Sequence, residues 1–519
     1  MAAHCEVRKG EYHDSVTLMR VAKFLSQQDG VTDSAVVMAT EENKLILKVA
    51  GLFGPEVAKA TEVDLVIGVQ AASGELAAKL VQAAVQELKK KSRTGAGGPR
   101  PRSLDSALEL QPAANLALIS IAGRYAAAEA RKALERGLHV MLFSDNIPLE
   151  AEVALKKFGA SRGLLVMGPD AGTAIIGGVP LAFANHVSAG KIGIVAASGT
   201  GLQEASCLIS NLGQGISQAI GTGGRDVKKE VGGIMFLHAI DSLLRDPGTE
   251  VLLLISKPPH PEVLEKILDK VRGAKKPVIA TFLGSPAADP AGNVIATATL
   301  EDGALKAVCA VSGRDLREAD EELAKAAIAR EGRARAEAGR LSEGQKYLRG
   351  LYTGGTFVAE TQVLAATRLR DLHSNAPFGS SKAASDPLRS RAHTVIDFGE
   401  DEFTLGRPHP MIDFSLRNKR ILEEARDPET AVLLLDLVLG WGANRDPLPE
   451  LLPVLNQARA TARAAGRYLP IVISVTGTDS DPQCRSKIVK ALNEAQVIVE
   501  NSNAAAADLA IKIAEFAGR

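Results

Sequence analysis

Short apolar runs, each followed by a longer stretch of helical spacing, recur along most of the chain, the pattern of strands alternating with helices. From Asn115 the alternation is regular: Leu116–Ile121, His139–Phe143 and Leu164–Met167 predict strands, with helices over Tyr125–Arg136 and Leu149–Phe158 between them. A fresh series starts at Gly190. It predicts a strand at Ile192–Ala196, a helix carrying Glu204, a Gly-rich turn from Ile220 to Asp226, another helix, and strands at Val251–Ser256 and Pro277–Leu283. Strands this continuously apolar belong in parallel sheets covered on both faces. Residues 1–92 read differently, as a small α+β module. Its strands are predicted at Cys5–Tyr12, Ser34–Thr40, Lys44–Val49 and Asp64–Val69, with helices over Asp14–Gln27 and Ser73–Lys91. Ser92–Arg102 has the Gly, Pro and Arg content of an exposed linker.

Beyond an Ala-, Glu- and Arg-rich connecting helix between Arg314 and Lys346, the pattern repeats. SGTGLQE (Ser198–Glu204) is answered by GGTFVAE (Gly354–Glu360), and DPGTEVLLL (Asp246–Leu254) by DPETAVLLL (Asp427–Leu435), identical at seven of nine positions. KKPVIATFLG (Lys275–Gly284) is answered by YLPIVISVTG (Tyr468–Gly477), with Pro and Gly in register. Three ordered matches argue for a duplicated domain. An insertion around Ser374–Arg391 reads as a surface loop. The boundaries that follow are 1–92, 93–189, 190–320, a helical connector at 321–345, and 346–519.

Composition narrows the function classes. Acidic and basic residues balance at 61 each, so no overall field favours nucleic acid. The N-terminus has no signal-like apolar core, and no apolar run is long enough to span a membrane, so a cytoplasmic location is expected. The four cysteines are scattered without a CxxC, which predicts neither a disulfide framework nor a metal site.

The chemistry concentrates in GKIGIVAASGTGLQEA (Gly190–Ala205). A strand entering a helix through Ser198, Gly199 and Thr200 leaves the helix's first N–H groups aimed outward at the positive end of its dipole, beside two hydroxyls. That arrangement suits a phosphate or carboxylate; an ordinary N-cap is the plainer reading. GxGxxG and GxxxxGK[ST] are both absent.

This stretch resembles the phosphate-binding segment of the succinyl-CoA synthetase α subunit, as Met167-Gly168-Pro169-Asp170 resembles a segment just upstream of it in that subunit. VLLLDLVLGWGANRDPL (Val432–Leu448) resembles part of the β subunit's C-terminal ligase domain. With the extra N-terminal module, the whole chain is similar to the FdrA family, fused α-like and β-like proteins. The resemblance implies a multi-domain α/β fold: a Rossmann-like CoA-binding-type half domain and two tandem flavodoxin-like ligase domains behind the small module. It implies two helix ends facing one phosphoryl group, Ser198, Gly199 and Thr200 forming one half of the cradle and Gly440, Gly442, Ala443 and Asn444 the other.

What the resemblance implies for activity is a subunit of oxamate carbamoyltransferase, which interconverts oxalurate plus phosphate with oxamate plus carbamoyl phosphate. An ADP-forming acyl-CoA synthetase and a non-catalytic scaffold are the alternatives. Departures from the synthetases weigh on the choice. Their phosphorylated histidine would fall in Ser285–Ala298, but no histidine occurs between His260 and His373. The CoA-binding Gly-rich loop and the nucleotide-grasp domain are also unrecognisable. No cofactor is therefore expected beyond phosphate or carbamoyl phosphate as substrate, with CoA or ATP only under the synthetase reading. Partner subunits and an oligomer are expected, with neither nucleic acid nor membrane. Arg225, His409 and Arg445 are candidates for holding an anionic substrate, each with a plainer reading as a surface or loop residue. Glu204 and Glu360, at matching positions, read as helix residues that complement the dipole. His238 and Cys207 read as core residues.

Overall fold

The computed structural model describes residues 2–518 except 12, 14, 41–42, 45–46, 49, 90–100, 102, 286–293 and 405–407. Most of the expected linker, most of the Ser285–Ala298 loop, and Gly406 and Arg407 beside His409 therefore lie outside the described residues. The chain divides into two compact units, Met1–Pro112 with Glu400–Asp413, and Ala113–Gly399 with Phe414–Arg519.

In the first unit, β1 (Ala2–Arg8), β2 (Val31–Met38) and β3 (Leu65–Ala71) form an antiparallel sheet in the order β1-β3-β2. Helices α1 (Ser15–Ser26) and α3 (Gly74–Lys89) bury Leu18, Val21, Leu80, Val81 and Ala84 with Ile67 and Val69 of the central strand. The short helices α2 (Pro55–Lys59), α4 (Leu104–Leu110) and α13 (Asp401–Thr404) also belong to this unit. Of the strand expected at Lys44–Val49, the described residues Lys44, Leu47 and Lys48 are helical instead, and Leu47 is fully buried.

The second unit opens with a parallel three-stranded sheet, β4 (Leu116–Ile119), β5 (His139–Leu142) and β6 (Val166–Met167), connected by α5 (Gly123–Glu135) and α6 (Leu149–Ser161). A hairpin not foreseen from the sequence, β7 (Thr173–Ile176) and β8 (Val179–Ala182), then leads into the first of two seven-stranded sheets.

That sheet contains β9 (Ala189–Ala196), β10 (Ile216–Gly221), β11 (Val251–Ser256), β12 (Val278–Phe282) and β13 (Val294–Ala296). Its helices are α7 (Gly199–Asn211), α8 (Ile234–Arg245), α9 (Pro261–Val271) and α10 (Leu300–Val311). The connector α11 (Arg317–Ala338) follows. The second sheet contains β14 (Tyr347–Tyr352), β15 (Leu372–Ser374), β16 (Lys382–Ala383), β17 (His393–Asp397), β18 (Thr430–Val438), β19 (Ile471–Thr476) and β20 (Ile498–Glu500). Its helices are α12 (Gly355–Ala365), α14 (Ser415–Arg426), α15 (Leu448–Ala464), α16 (Arg485–Glu494) and α17 (Asn503–Ala517).

The parallel cores run β10-β9-β11-β12-β13 and β17-β14-β18-β19-β20. Both have the flavodoxin-like order, with a switch point beside the first strand. Every residue of β11, β18 and β19 is buried, which is why each sequence is dominated by apolar residues, with Asp436 and Ser474 as polar interruptions of β18 and β19. The insertion in the second half adds β16 at its sheet edge. The expected fold, two tandem flavodoxin-like ligase-type domains with a Rossmann-like half domain and a small α+β module, is the one observed.

Candidate functional site

The switch point of the first sheet is where Ser198 stands. β9 ends at Ala196, whose parallel partner is Ile255, and α7 starts at Gly199. Ser198 is extended and its Oγ accepts from Gly201 N at 3.0 Å, a side-chain N-cap that leaves the N–H groups of Gly199 and Thr200 facing outward. Ser198, Gly199 and Thr200 are half-buried, so the helix end is shaped by its surroundings yet open. Thr173 of β7 flanks it, 3.5 Å from where a Cβ on Gly199 would lie.

The second helix end belongs to α12, not to Gly440–Asn444. Thr356 Oγ1 lies 2.6 Å from Ser198 Oγ, and a Cβ on Gly354 would meet Thr200 Cγ2 at 2.9 Å. The GGT of the second half thus abuts the SGT of the first, two helix N-termini in contact. The repeat held this information, since SGTGLQE and GGTFVAE are each other's counterpart; the resemblance of Val432–Leu448 to the β subunit's ligase domain pointed to Gly440–Asn444 instead.

Gly440 and Gly442 instead belong to a loop after β18, with φ of +104° and +81°. A Cβ on Gly440 would meet Ala184 O at 2.6 Å, which accounts for the glycine by backbone approach. Gln483 holds the loop by accepting from Gly440 N and donating to Gly440 O and Asn444 O. The next helix, α15, starts only at Leu448, so Gly440, Gly442, Ala443 and Asn444 cap no helix. Arg445 is exposed in this loop, as is Trp441.

The other candidates are also placed. Arg225 Nε pairs with the buried Glu152 at 2.8 Å and its NH2 donates to Ile147 O, so it ties the Gly-rich turn to α6 rather than to the helix ends. Beside it Lys156, fully buried, pairs with Glu152 and Asp226 at 2.8 Å each, while Asp226 accepts from Met235 N and Phe236 N at the start of α8. His409 falls in the Glu400–Asp413 segment of the first unit, whereas both helix ends belong to the second. Burial lowers its pKa to about 4, so it is neutral at pH 7 and adds no positive charge. Cys207 is buried, with a thiol pKa raised well above the ordinary range by desolvation, as expected of a core residue. Burial lowers the pKa of His238.

Two groups beside the helix ends were missed. Lys257, half-buried, is the first residue past β11, two positions beyond Ile255, the parallel partner of Ala196 at the end of β9. A lysine one residue past five consecutive apolar strand residues was the available signal. Asp397, buried at the end of β17, lies where a Cβ on Gly355 would run into its carboxylate. Below it, Asp436 accepts from Thr353 N at 2.8 Å and Thr353 Oγ1 at 2.7 Å, and pairs with the fully buried Arg417 at 3.0 Å. The α12 end therefore carries carboxylates of its own. Among the described residues, no cluster of His, Cys, Asp and Glu has the makings of a metal site, and no helix is long and apolar enough to cross a membrane.

Comparisons with known proteins match this architecture. A CoA-binding domain model matches residues 187–284 and a CoA-ligase model residues 351–513, each containing one of the paired helix ends. Residues 1–102 match a model described as the AllF heavy metal-associated domain. Over 505 residues the chain is 43% identical to the uncharacterized protein YahF of Escherichia coli, with 97% of each covered. The chain belongs to the YahF family. In this chain the CoA-binding and CoA-ligase matches follow the N-terminal module, a fused, succinyl-CoA-synthetase-like architecture. The succinate–CoA ligase (ADP-forming) α subunit of Aquifex aeolicus is 30% identical over 181 residues, 33% of this chain and 57% of that subunit. Among solved structures, a dinucleotide-forming acetyl-coenzyme A synthetase 1 of Ca. Korarchaeum cryptofilum, in complex with phosphate and ADP, aligns with 78% of this chain and 82% of its own. Its identity is 15% and its TM-score 0.32.

Proposed function

We propose that this chain binds phosphate or an acyl phosphate at the abutting ends of α7 and α12, as the phosphate-handling part of an enzyme of the acyl-CoA synthetase type. The observation that carries the reading is the meeting of two helix N-termini through Ser198 and Thr356. Converging N–H groups offset the charge of a dianion without reorganising as the reaction proceeds. Ser198, Gly199 and Thr200 are the primary contacts, Gly355 and Thr356 the opposing ones, and Lys257 the nearby positive charge. The CoA-binding and CoA-ligase matches favour acyl transfer as the class.

A narrower reading has one specific observation in its favour, the absence of histidine between His260 and His373. Transfer through a phosphorylated histidine at the synthetase position is then unsupported, whereas direct attack by phosphate needs no such residue. In oxalurate phosphorolysis a phosphate oxygen attacks the carbamoyl carbon. The bond from that carbon to the oxamate nitrogen breaks, a proton goes to the nitrogen, and carbamoyl phosphate and oxamate leave. This reading places the chain among partner subunits of an oligomeric carbamoyltransferase, with no cofactor.

Calorimetric titration with inorganic phosphate and with acetyl phosphate tests the common core of both readings. The wild type should bind, and Ser198→Asp, which puts a carboxylate in the anion site, should bind at least about tenfold more weakly, a cost near 1.4 kcal/mol. Equal affinity in the variant, or no binding of either ligand, would overturn the assignment. Incubating the assembled complex with oxalurate and phosphate, or with acyl-CoA, ADP and phosphate, then separates the two chemistries by product.

A further inference from the structure

Glu204 and Glu360 lie in the second turns of α7 and α12, too far along to cap those helices. Each reaches into the opposite half. Glu204 Oε1 accepts from Asn503 N, the first residue of α17, at 2.7 Å, and its Oε2 accepts from Thr476 Oγ1. Glu360 Oε1 accepts from Leu300 N, the first residue of α10, at 2.8 Å, and its Oε2 accepts from Asn503 Nδ2 at 2.8 Å. The helix that begins at the anion site in each half therefore caps the final helix of the other half. Both glutamates are fully buried, and neither has an ion-pair partner among the described residues.

An interior carboxylate without a cation is costly when charged. Burial pushes both groups up to about 7, helped for Glu360 by the nearby charge of Glu204. The other titratable groups facing the pair do little to offset this. Glu301 on α10 adds negative charge and is itself raised by burial, with Arg330 of α11 opposing it. Arg485 of α16 lowers Glu204 slightly, while the Tyr352 phenol and the Cys207 thiol stay neutral. Asn503 adds a geometric sign of the second protonation state. Its Oδ1 is buried without a hydrogen-bond partner, so turning the amide offers an acceptor to a protonated Glu360.

We propose that Glu204 and Glu360 are positioning residues forming a proton-dependent clamp across the two halves, which sets the spacing of the α7 and α12 ends and takes up a proton when an anion binds there. The anion part rests on the phosphate reading above; the clamp does not. Glu204 is six residues from Ser198, about 9 Å along the helix, close enough for a bound dianion to favour the protonated carboxyl.

The experiment has two arms. In the first, thermal stability of the full chain is followed from pH 5 to pH 8.5. A folded-state value near 7, above the ordinary 4.5, means the contribution is full below pH 4.5 and lost as pH rises through 7. Wild type should therefore lose stability across that window, and Glu204→Gln with Glu360→Gln, which fix the neutral form, should flatten the slope. Each single variant should remove about half, which keeps the test decisive if the double variant does not fold. An unchanged slope would overturn the clamp. In the second arm, sulfate, which stays dianionic throughout, is titrated at pH 6.5 and 8.5 in two buffers of different ionisation enthalpy. Wild-type affinity should fall several-fold at the higher pH with proton uptake on binding, and the Gln variants should bind with neither effect. A pH-independent wild-type affinity, or variants that keep its pH dependence, would overturn the link to anion binding. Should neither sulfate nor phosphate bind, the phosphate reading fails together with the link, and the first arm still decides the clamp.

Discussion

The two ligase-like halves share strand order and a Gly-Thr helix start, yet their helix ends differ in capping and in charge. The α7 end is polar: Ser198 caps it, Ile255 fills the strand position beneath, and Lys257 follows that strand. The α12 end has no side-chain cap at Gly354, Asp397 beside Gly355, and Asp436, the counterpart of Ile255, paired with Arg417 below. Duplication fixed where the backbone N–H groups point; divergence decided what charge they meet. On the phosphate reading proposed above, the first half supplies an end free of such carboxylates and the second already holds Asp397 and Asp436, so the two halves contribute unequally to any shared site.

Removing the buried cation should expose this difference most strongly. Arg417→Met leaves Asp436 in the core without its partner, and burial already raises that carboxyl. A loss of roughly 3–5 kcal/mol is expected in urea denaturation. At the corresponding place in the first half, Ile255→Val should cost only about 1 kcal/mol. Comparable losses in the two variants would mean that the charged pair does not distinguish the halves.

The caps give the next contrast. Ser198→Ala removes the side-chain acceptor for Gly201 N and the partner of Thr356, and should destabilise the protein by about 1 kcal/mol. Gly354→Ala at the uncapped end tests a different constraint, because its new methyl would press on Phe357 and on Thr200 Cγ2 at 2.9 Å. Thermal denaturation of both variants, with phosphate titration of each, checks whether the α7 end depends on its hydroxyl and the α12 end on backbone clearance.

The sheets were legible because their central strands are buried on both faces and so carry long apolar runs, as β11 and β18 show. The hairpin β7–β8 was not, since Thr173–Ala182 mixes glycines and a proline with only brief apolar pairs. The α7 end was legible because a strand, a small-residue turn and a hydroxyl cap are consecutive in the chain. Its partner was harder to see. Thr356 is 158 residues away and is joined to Ser198 only by the packing of the two halves. Glu204 and Glu360 matched in sequence, but helical position alone suggested a local dipole role. Their targets, Leu300 and Asn503, are residues that only the folded pair of domains brings within reach.

The smallest effect tests the sense of the comparison. If the α7 end supplies the attraction and Asp397 opposes it, Asp397→Asn should tighten phosphate binding about fivefold, on the order of 1 kcal/mol for one like charge removed at short range. Asparagine can still accept from Gly399 N through its side-chain oxygen, so the turn after β17 is preserved. The gain should shrink as salt rises from 0.01 M to 0.15 M, because the screening length falls from about 30 Å to about 8 Å. Measured by calorimetry beside Lys257→Ala, which should weaken binding by a similar factor, the pair gives opposite signs from opposite halves. Weaker binding in Asp397→Asn would reverse the assignment: the carboxylate would then help hold the ligand, by accepting a proton from it or recruiting its counter-charge, and the second half would be its principal support.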